Sequence, residues 1–152
     1  MLVFVPLAPA DLADWASSGA RDVSGFAATP AFLESFSLSS PESEDADLTL
    51  LEVAGVSGLL EHGVRLVAVC EADAVESIPA DFGAVSARRV RWKKVESLFA
   101  DDEAGAAAAT AAADAVAGTE LDEAWESDAV VDLLRTTELL WHGSSEWERL
   151  SH

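Results

Sequence analysis

A single cysteine in 152 residues excludes an internal disulfide framework and a cysteine-based metal cluster. Basic residues are scarce too. Nine Lys and Arg stand against 28 Asp and Glu, a formal net charge of −19 at pH 7. That balance disfavours non-specific binding to nucleic acid or to an anionic membrane, and it favours solubility at some cost in self-repulsion. No apolar run approaches the roughly 20 residues that cross a bilayer. The opening MLVFVPL has no basic region and reaches Pro6 too early for a secretory signal. The expectation is a soluble cytoplasmic chain with no membrane association, and nucleic acid is an unlikely partner on charge alone.

Motifs of chemistry are missing as well. There is no G-x-G-x-x-G, no G-x-x-x-x-G-K-[ST], no H-E-x-x-H and no calcium-loop spacing. Gly143-Ser144-Ser145-Glu146 lacks the second glycine of a nucleophile elbow and reads as a turn. No cofactor is expected. The charge itself has three readings: a solvated acidic surface in an alanine-rich, lysine-poor proteome, adaptation to salt, or an acidic mimic of nucleic acid that docks on a basic partner.

What is present is half hydrophobic by count, enough for an ordered core. The length suits one domain over 1–152, burying roughly 68–70% of the surface its unfolded chain would expose. Val64 to Glu71, VRLVAVCE, reads as a buried central strand. Val64, Leu66, Ala68 and Cys70 point to one side, and Arg65, Val67, Val69 and Glu71 to the other. Both faces are apolar in the middle, the pattern of a strand covered on both sides.

Around it, Leu2–Pro6 predicts a first strand and Pro9 to Ser18 a helix stopped by Gly19. Val23 to Ala28 is either a short strand or irregular. Thr29-Pro30 starts a short helix, and Ser37 to Asp47 reads as an exposed loop. A helix from about Asp45 to His62 would bury Leu48, Leu51, Gly55 and Leu59, with His62-Gly63 as its C-terminal signal. Asp73 to Ala87 reads as irregular, Arg88 to Ala100 as one long strand, and Asp102 to Ala117 as an alanine helix able to pack closely. Leu121 to about Arg135 predicts a further helix, Glu138 to His142 a last strand, and Glu146 to Leu150 a terminal turn, with His152 a flexible end. This order gives an α+β fold, ferredoxin-like or a related open mixed sheet of four to five strands, with helices mostly on one face.

Five of the nine basic residues, Arg88, Arg89, Arg91, Lys93 and Lys94, fall within seven positions. On a regular strand Arg89, Arg91 and Lys93 share one face, with Val90 and Trp92 on the other. Arg89, Arg91, Trp92 and Lys93 are therefore the candidate binding residues, for an anion or an acidic partner. The competing reading is an edge strand guarded by charge against aggregation. The acid groups Glu42, Glu44, Asp45, Asp47 and Glu96, Asp101, Asp102, Glu103 are weak candidates for a hard cation, and the second also suits a helix start. Cys70 reads as a small buried hydrophobe. His62 and His142 lack partners at catalytic spacing, and Trp125, Trp141 and Trp147 read as core or core edge.

Val3-Phe4-Val5-Pro6, Phe26-Ala27-Ala28-Thr29-Pro30-Ala31, the strand Arg65 to Asp73 and Glu138-Leu139-Leu140-Trp141-His142, taken in order, resemble a family of short acidic actinobacterial proteins of unknown function. The resemblance implies no activity, cofactor or catalytic residue. It does imply a high-GC bacterial cytoplasmic origin, and a position 142 where relatives tend to have tyrosine, which argues against a catalytic histidine there.

The functional expectation is a non-enzymatic binding or regulatory module that engages a protein or a small anionic partner, or associates with itself. The alternatives are a small carboxylate enzyme, with or without a metal, built from Glu71, Asp73, Glu96 and Asp101 at the strand ends, and an acidic nucleic-acid mimic.

Overall fold

The computed structural model describes residues 1–79 and 81–151. Ala80, within the segment expected to be irregular, and His152, expected as a flexible end, lie outside the described residues. The strands are β1 (Leu2–Pro6), β2 (Ala20–Phe26), β3 (Leu66–Glu71), β4 (Val75–Glu76), β5 (Ala84–Arg91), β6 (Val95–Ala100) and β7 (Leu140–His142). The helices are α1 (Pro9–Ser18), α2 (Pro30–Ser35), α3 (Glu44–His62), α4 (Glu103–Ala115), α5 (Leu121–Glu126), α6 (Asp128–Thr136) and α7 (Trp147–Leu150).

The α+β class holds, and the sheet is larger than expected. Among the described residues seven strands run in the order β4-β5-β2-β1-β3-β6-β7, and every neighbouring pair is antiparallel, not mixed. A ferredoxin-like unit would hold its helix-linked strands parallel with another strand between them. Here β1 and β3, linked through α1 to α3, lie side by side and antiparallel. The extra strands come from Asp73 to Ala87, which contains β4 and the start of β5, and from Arg88 to Ala100. The latter is two strands broken by a 3-10 turn over Trp92–Lys94.

That break bends the sheet. β5 and β6 are four strand spacings apart, roughly 19 Å if the sheet were flat. The link from Arg91 to Val95 spans at most about 14 Å when fully extended, and it is coiled. The sheet must therefore curl until the two strand ends approach. β2 and β1 share only the register pair Phe4 with Phe26, so the sheet folds over at that seam. Gly25 permits it, because a Cβ there would meet the Phe4 carbonyl oxygen at 2.4 Å.

β3 alternates as its sequence predicts. Leu66, Ala68 and Cys70 join Val3, Val5, Leu12, Trp15 and Leu98 inside the curl, capped by α1 and by Trp147 and Leu150 of α7. Val67 and Val69 join Phe4, Phe32, Leu50, Val53 and Ala54 under α2 and α3. The outer side of α3 is covered in turn: Val56 meets Val116, Ala124 and Val130, and Leu59 meets Ala109, Ala112 and Leu133. Buried on both sides, α3 has no single apolar stripe, and Leu48, expected inside, is 59% exposed. Gly58 earns its place by close approach, since a Cβ would meet the Val64 carbonyl oxygen at 2.7 Å.

Local signals act as expected at several helix ends. The Thr29 hydroxyl accepts the Phe32 N–H at 3.1 Å, Asp102 accepts the Gly105 N–H at 2.7 Å, and Gly63 closes α3 in the left-handed region at φ +73°. The expected helix from Leu121 to Arg135 is two helices, because the Ser127 hydroxyl donates to the Ala124 carbonyl and accepts the Val130 N–H, capping both ends.

Arg65 is the unexpected interior residue. The register pairs Leu66 with Ala100, which sets Arg65 opposite Asp101. Its Nε donates to Asp101 Oδ2 at 2.9 Å and its Nη2 to Oδ1 at 2.5 Å, with a further contact to the Thr137 carbonyl at 3.4 Å. No helix among the described residues is long and apolar enough to cross a membrane.

Candidate functional site

The basic cluster does not lie on one regular strand. Arg21 pairs with Val90 and Val23 with Ala87, so Asp22 alone faces both Arg88 and Arg89. This is a β-bulge. Arg89 sits at φ +50°, and its N–H donates to Asp22 Oδ1 at 2.9 Å. The inward positions become Val85, Ala87 and then Val90, and Lys93 stands in the following 3-10 turn. Bulge and turn together remove the shared face expected of Arg89, Arg91 and Lys93. All five bases are exposed, and none takes part in an ion pair among the described residues. Trp92 turns inward instead and meets Trp15 edge to face at 5.5 Å. β4 covers β5 only at Val85 and Ser86, which leaves the edge from Ala87 to Arg91 without a strand beside it among the described residues.

The strand-end carboxylates do not gather at one site: Glu96 lies with Glu71 at the Cys70 end of β3, and Asp101 does not. Glu71 ends β3 and accepts the N-terminal ammonium at 2.7 Å. Asp101 lies past the opposite end, roughly 20 Å away along a six-residue strand, and is committed to Arg65. Cys70 is buried between them, and burial, reinforced by Glu71 and Glu96, pushes its thiol up to about 12. His142 Nδ1 lies 3.7 Å from Glu146, whose carboxyl is lowered chiefly by the N–H of Gly143.

Two cavities remain of interest. One, of about 350 Å³, lies between α3 and the α6–β7 connection and is lined by four leucines and Phe99 together with Glu52 and Arg65. Burial raises the Glu52 carboxyl and the Arg65 charge opposes that rise. The other is a cleft of about 1000 Å³ between α2, the turn before β5, the end of α3 and α5.

This cleft has an aromatic floor. α2 ends at Phe36, which stacks at 5.0 Å on buried Phe32. Phe36, Phe82 and Trp125 then contact one another with centroids 5.8 to 6.2 Å apart, and each is half-buried. Phe82 is held at φ +60°, a conformation costly for a bulky side chain and characteristic of ligand sites when found. Gly83, at φ +81°, completes the turn. A Cβ on it would meet the Ala27 carbonyl oxygen at 2.4 Å and Phe32 at 2.8 Å, while its own carbonyl accepts the Ala27 N–H at 3.0 Å.

Five carboxylates rim the floor: Glu61, Asp81, Glu120, Asp122 and Glu126. No lysine, arginine or histidine among the described residues lines the cleft. Glu120, Asp122 and Glu126 belong to α5 or its N-cap, and Asp81 adjoins Phe82. Of the five, Glu61 alone has an ion-pair neighbour among the described residues, His62 at 3.6 Å, and aromatic faces beside such carboxylates attract cations through both the ring quadrupole and plain charge. Trp125, expected in the core or at its edge, is half-buried at the edge, whereas Trp141, expected there too, is 63% exposed, and the sequence has no sign of Phe36 or Phe82 beside Trp125.

The chain belongs to the family of unknown function DUF6912, whose model matches residues 1–150. The expectation of a family of unknown function spanning nearly the whole chain holds. No curated protein and no solved structure matches the chain.

Proposed function

We propose that the protein is a non-enzymatic binding module whose ligand site is the acid-rimmed aromatic cleft, and that the ligand presents a cationic group. The observation that supports this reading is the contact of Phe36, Phe82 and Trp125 beneath five carboxylates with no basic residue lining the cleft among the described residues. An ammonium or guanidinium over a partly desolvated ring gains about 0.5–2 kcal/mol per good contact. The surrounding carboxylates add a longer-range attraction that salt screens. The test is a calorimetric titration with a short oligo-arginine peptide, at low and at physiological ionic strength, against the parent and Trp125→Ala. Binding that weakens with salt and falls several-fold in the variant supports the reading. Equal binding by both proteins refutes the site.

A second reading keeps Arg89, Arg91 and Lys93 as a site for an anionic or acidic partner, with Trp92 only bracing the turn. Exposure of these bases without ion-pair partners among the described residues favours it. The bulge, the left-handed Arg89 and the charge also suit an edge protected from strand pairing. Chemical-shift changes confined to residues 88 to 94 on adding pyrophosphate would favour the anion site, and their absence the protected edge.

A further inference from the structure

The two patches of opposite charge lie at the two ends of β5. Ala84, its first residue, lines the cleft, and Arg91 and the 3-10 turn with Lys93 and Lys94 lie at its far end. At about 3.3 Å per residue Arg91 and the turn stand more than 20 Å from Ala84, so Arg91, Lys93 and Lys94 cannot enter the cleft of their own chain, while Arg88 starts about 13 Å from it. We infer that the occupant of the cleft is the basic ridge Arg88–Lys94 of a second copy of this chain, an inference that rests on the cationic reading of the cleft.

Charge complementarity supports this occupant. The ridge holds five of the nine basic residues of the chain, exposed and outside every ion pair among the described residues. The cleft holds carboxylates without a base in its lining among the described residues. An arginine from the ridge can lay its planar guanidinium on Trp125 or Phe82 while donating to the rim acids, a geometry suited to arginine more than to lysine. The turn at Trp92–Lys94 is braced by Trp92 on Trp15, so it presents its charges with little ordering left to do. The contact joins unlike surfaces, head to tail. It leaves a free cleft on one copy and a free ridge on the other, and growth continues unless the rotation between copies closes a ring. The high net negative charge limits strength, since each added copy brings the repulsion of its remaining surface.

The experiment uses two neutralised variants of the full chain, a ridge variant (R89Q/R91Q/K93Q) and a cleft variant (D81N/E120Q/D122N), with analytical ultracentrifugation as the readout. All six positions are exposed, and circular dichroism verifies folding. The inference predicts that the parent's average mass rises above the monomer with concentration while each variant alone stays monomeric. An equimolar mixture forms a species of two chains and no larger, because the ridge variant still has a cleft and the cleft variant still has a ridge. A parent that stays monomeric overturns the inference, as does a mixture that stays monomeric or a variant that associates alone as the parent does. If the parent stays monomeric but binds oligo-arginine through Trp125, the cationic cleft stands and only the second-copy occupant falls.

Discussion

Asp101→Ala would leave the Arg65 guanidinium with one long contact, to the Thr137 carbonyl at 3.4 Å, in place of its bidentate partner. The side chains of Arg65 and Asp101 are only 2% and 5% exposed. Breaking such a pair from one side costs about 3–5 kcal/mol, because the remaining charge stays buried without its hydrogen-bonded partner. In a domain of this size each kcal/mol moves the melting temperature by about 2–4 °C, so a fall of roughly 6–20 °C is expected. Replacing both partners by apolar groups of similar shape, Arg65→Met with Asp101→Leu, removes the charge as well as the pair. The double variant should therefore recover at least about 2 kcal/mol relative to Asp101→Ala. Urea unfolding followed by tryptophan fluorescence measures all the members of the cycle. If Asp101→Ala loses less than about 1 kcal/mol, the value of an exposed pair, the pair is not the buried anchor described here.

Gly83→Ala should cost more than about 1 kcal/mol and weaken ligand binding at the cleft, since it adds a Cβ against the Ala27 carbonyl and Phe32 at a positive φ. Gly118→Ala, also at positive φ but with nothing within 4 Å, is the control for strain without collision, and equal losses in urea melts would contradict the close approach. Glu52→Gln should stabilise the protein at pH 7 and leave it unchanged near pH 3. Burial raises the folded-state pKa of Glu52, so its favourable contribution is full below the unfolded value of about 4.3 and is lost as pH rises through the folded one. Urea midpoints at the two pH values check this, and a Glu52→Gln variant less stable at pH 7 would reverse the sign.

Much of the frame was legible because local chemistry sets it. The alternation of Leu66 to Cys70 fixed both faces of β3, and Thr29-Pro30, His62-Gly63 and Asp102 marked helix ends that propensity and capping determine. The missing strands were hidden by a different kind of event. Nothing in Arg88-Arg89 announces a bulge, which depends on Asp22 reaching across from β2, and Trp92 gives no sign that its indole will brace a turn against Trp15. Arg65 looked like a strand-end charge, and only the register with β6 reveals Asp101 as its partner. The cleft was the least legible feature. Phe36, Phe82 and Trp125 are more than forty positions apart from one to the next, and the residue that joins them adopts a left-handed conformation that phenylalanine rarely takes.

The central claim, that the cleft recognises positive charge on an aromatic floor, is tested most directly by the tryptophan indole N–H signals in a two-dimensional NMR spectrum. The five tryptophans supply internal controls, among them Trp15, whose indole donates to the Val90 carbonyl at 2.9 Å in the core. The probes are choline and its neutral isostere 3,3-dimethyl-1-butanol, equal in shape and different in charge. The account predicts that choline shifts the Trp125 indole saturably, with the neutral alcohol weaker by several-fold and Trp15 unmoved. Equal shifts from both probes, or none at Trp125, would contradict it.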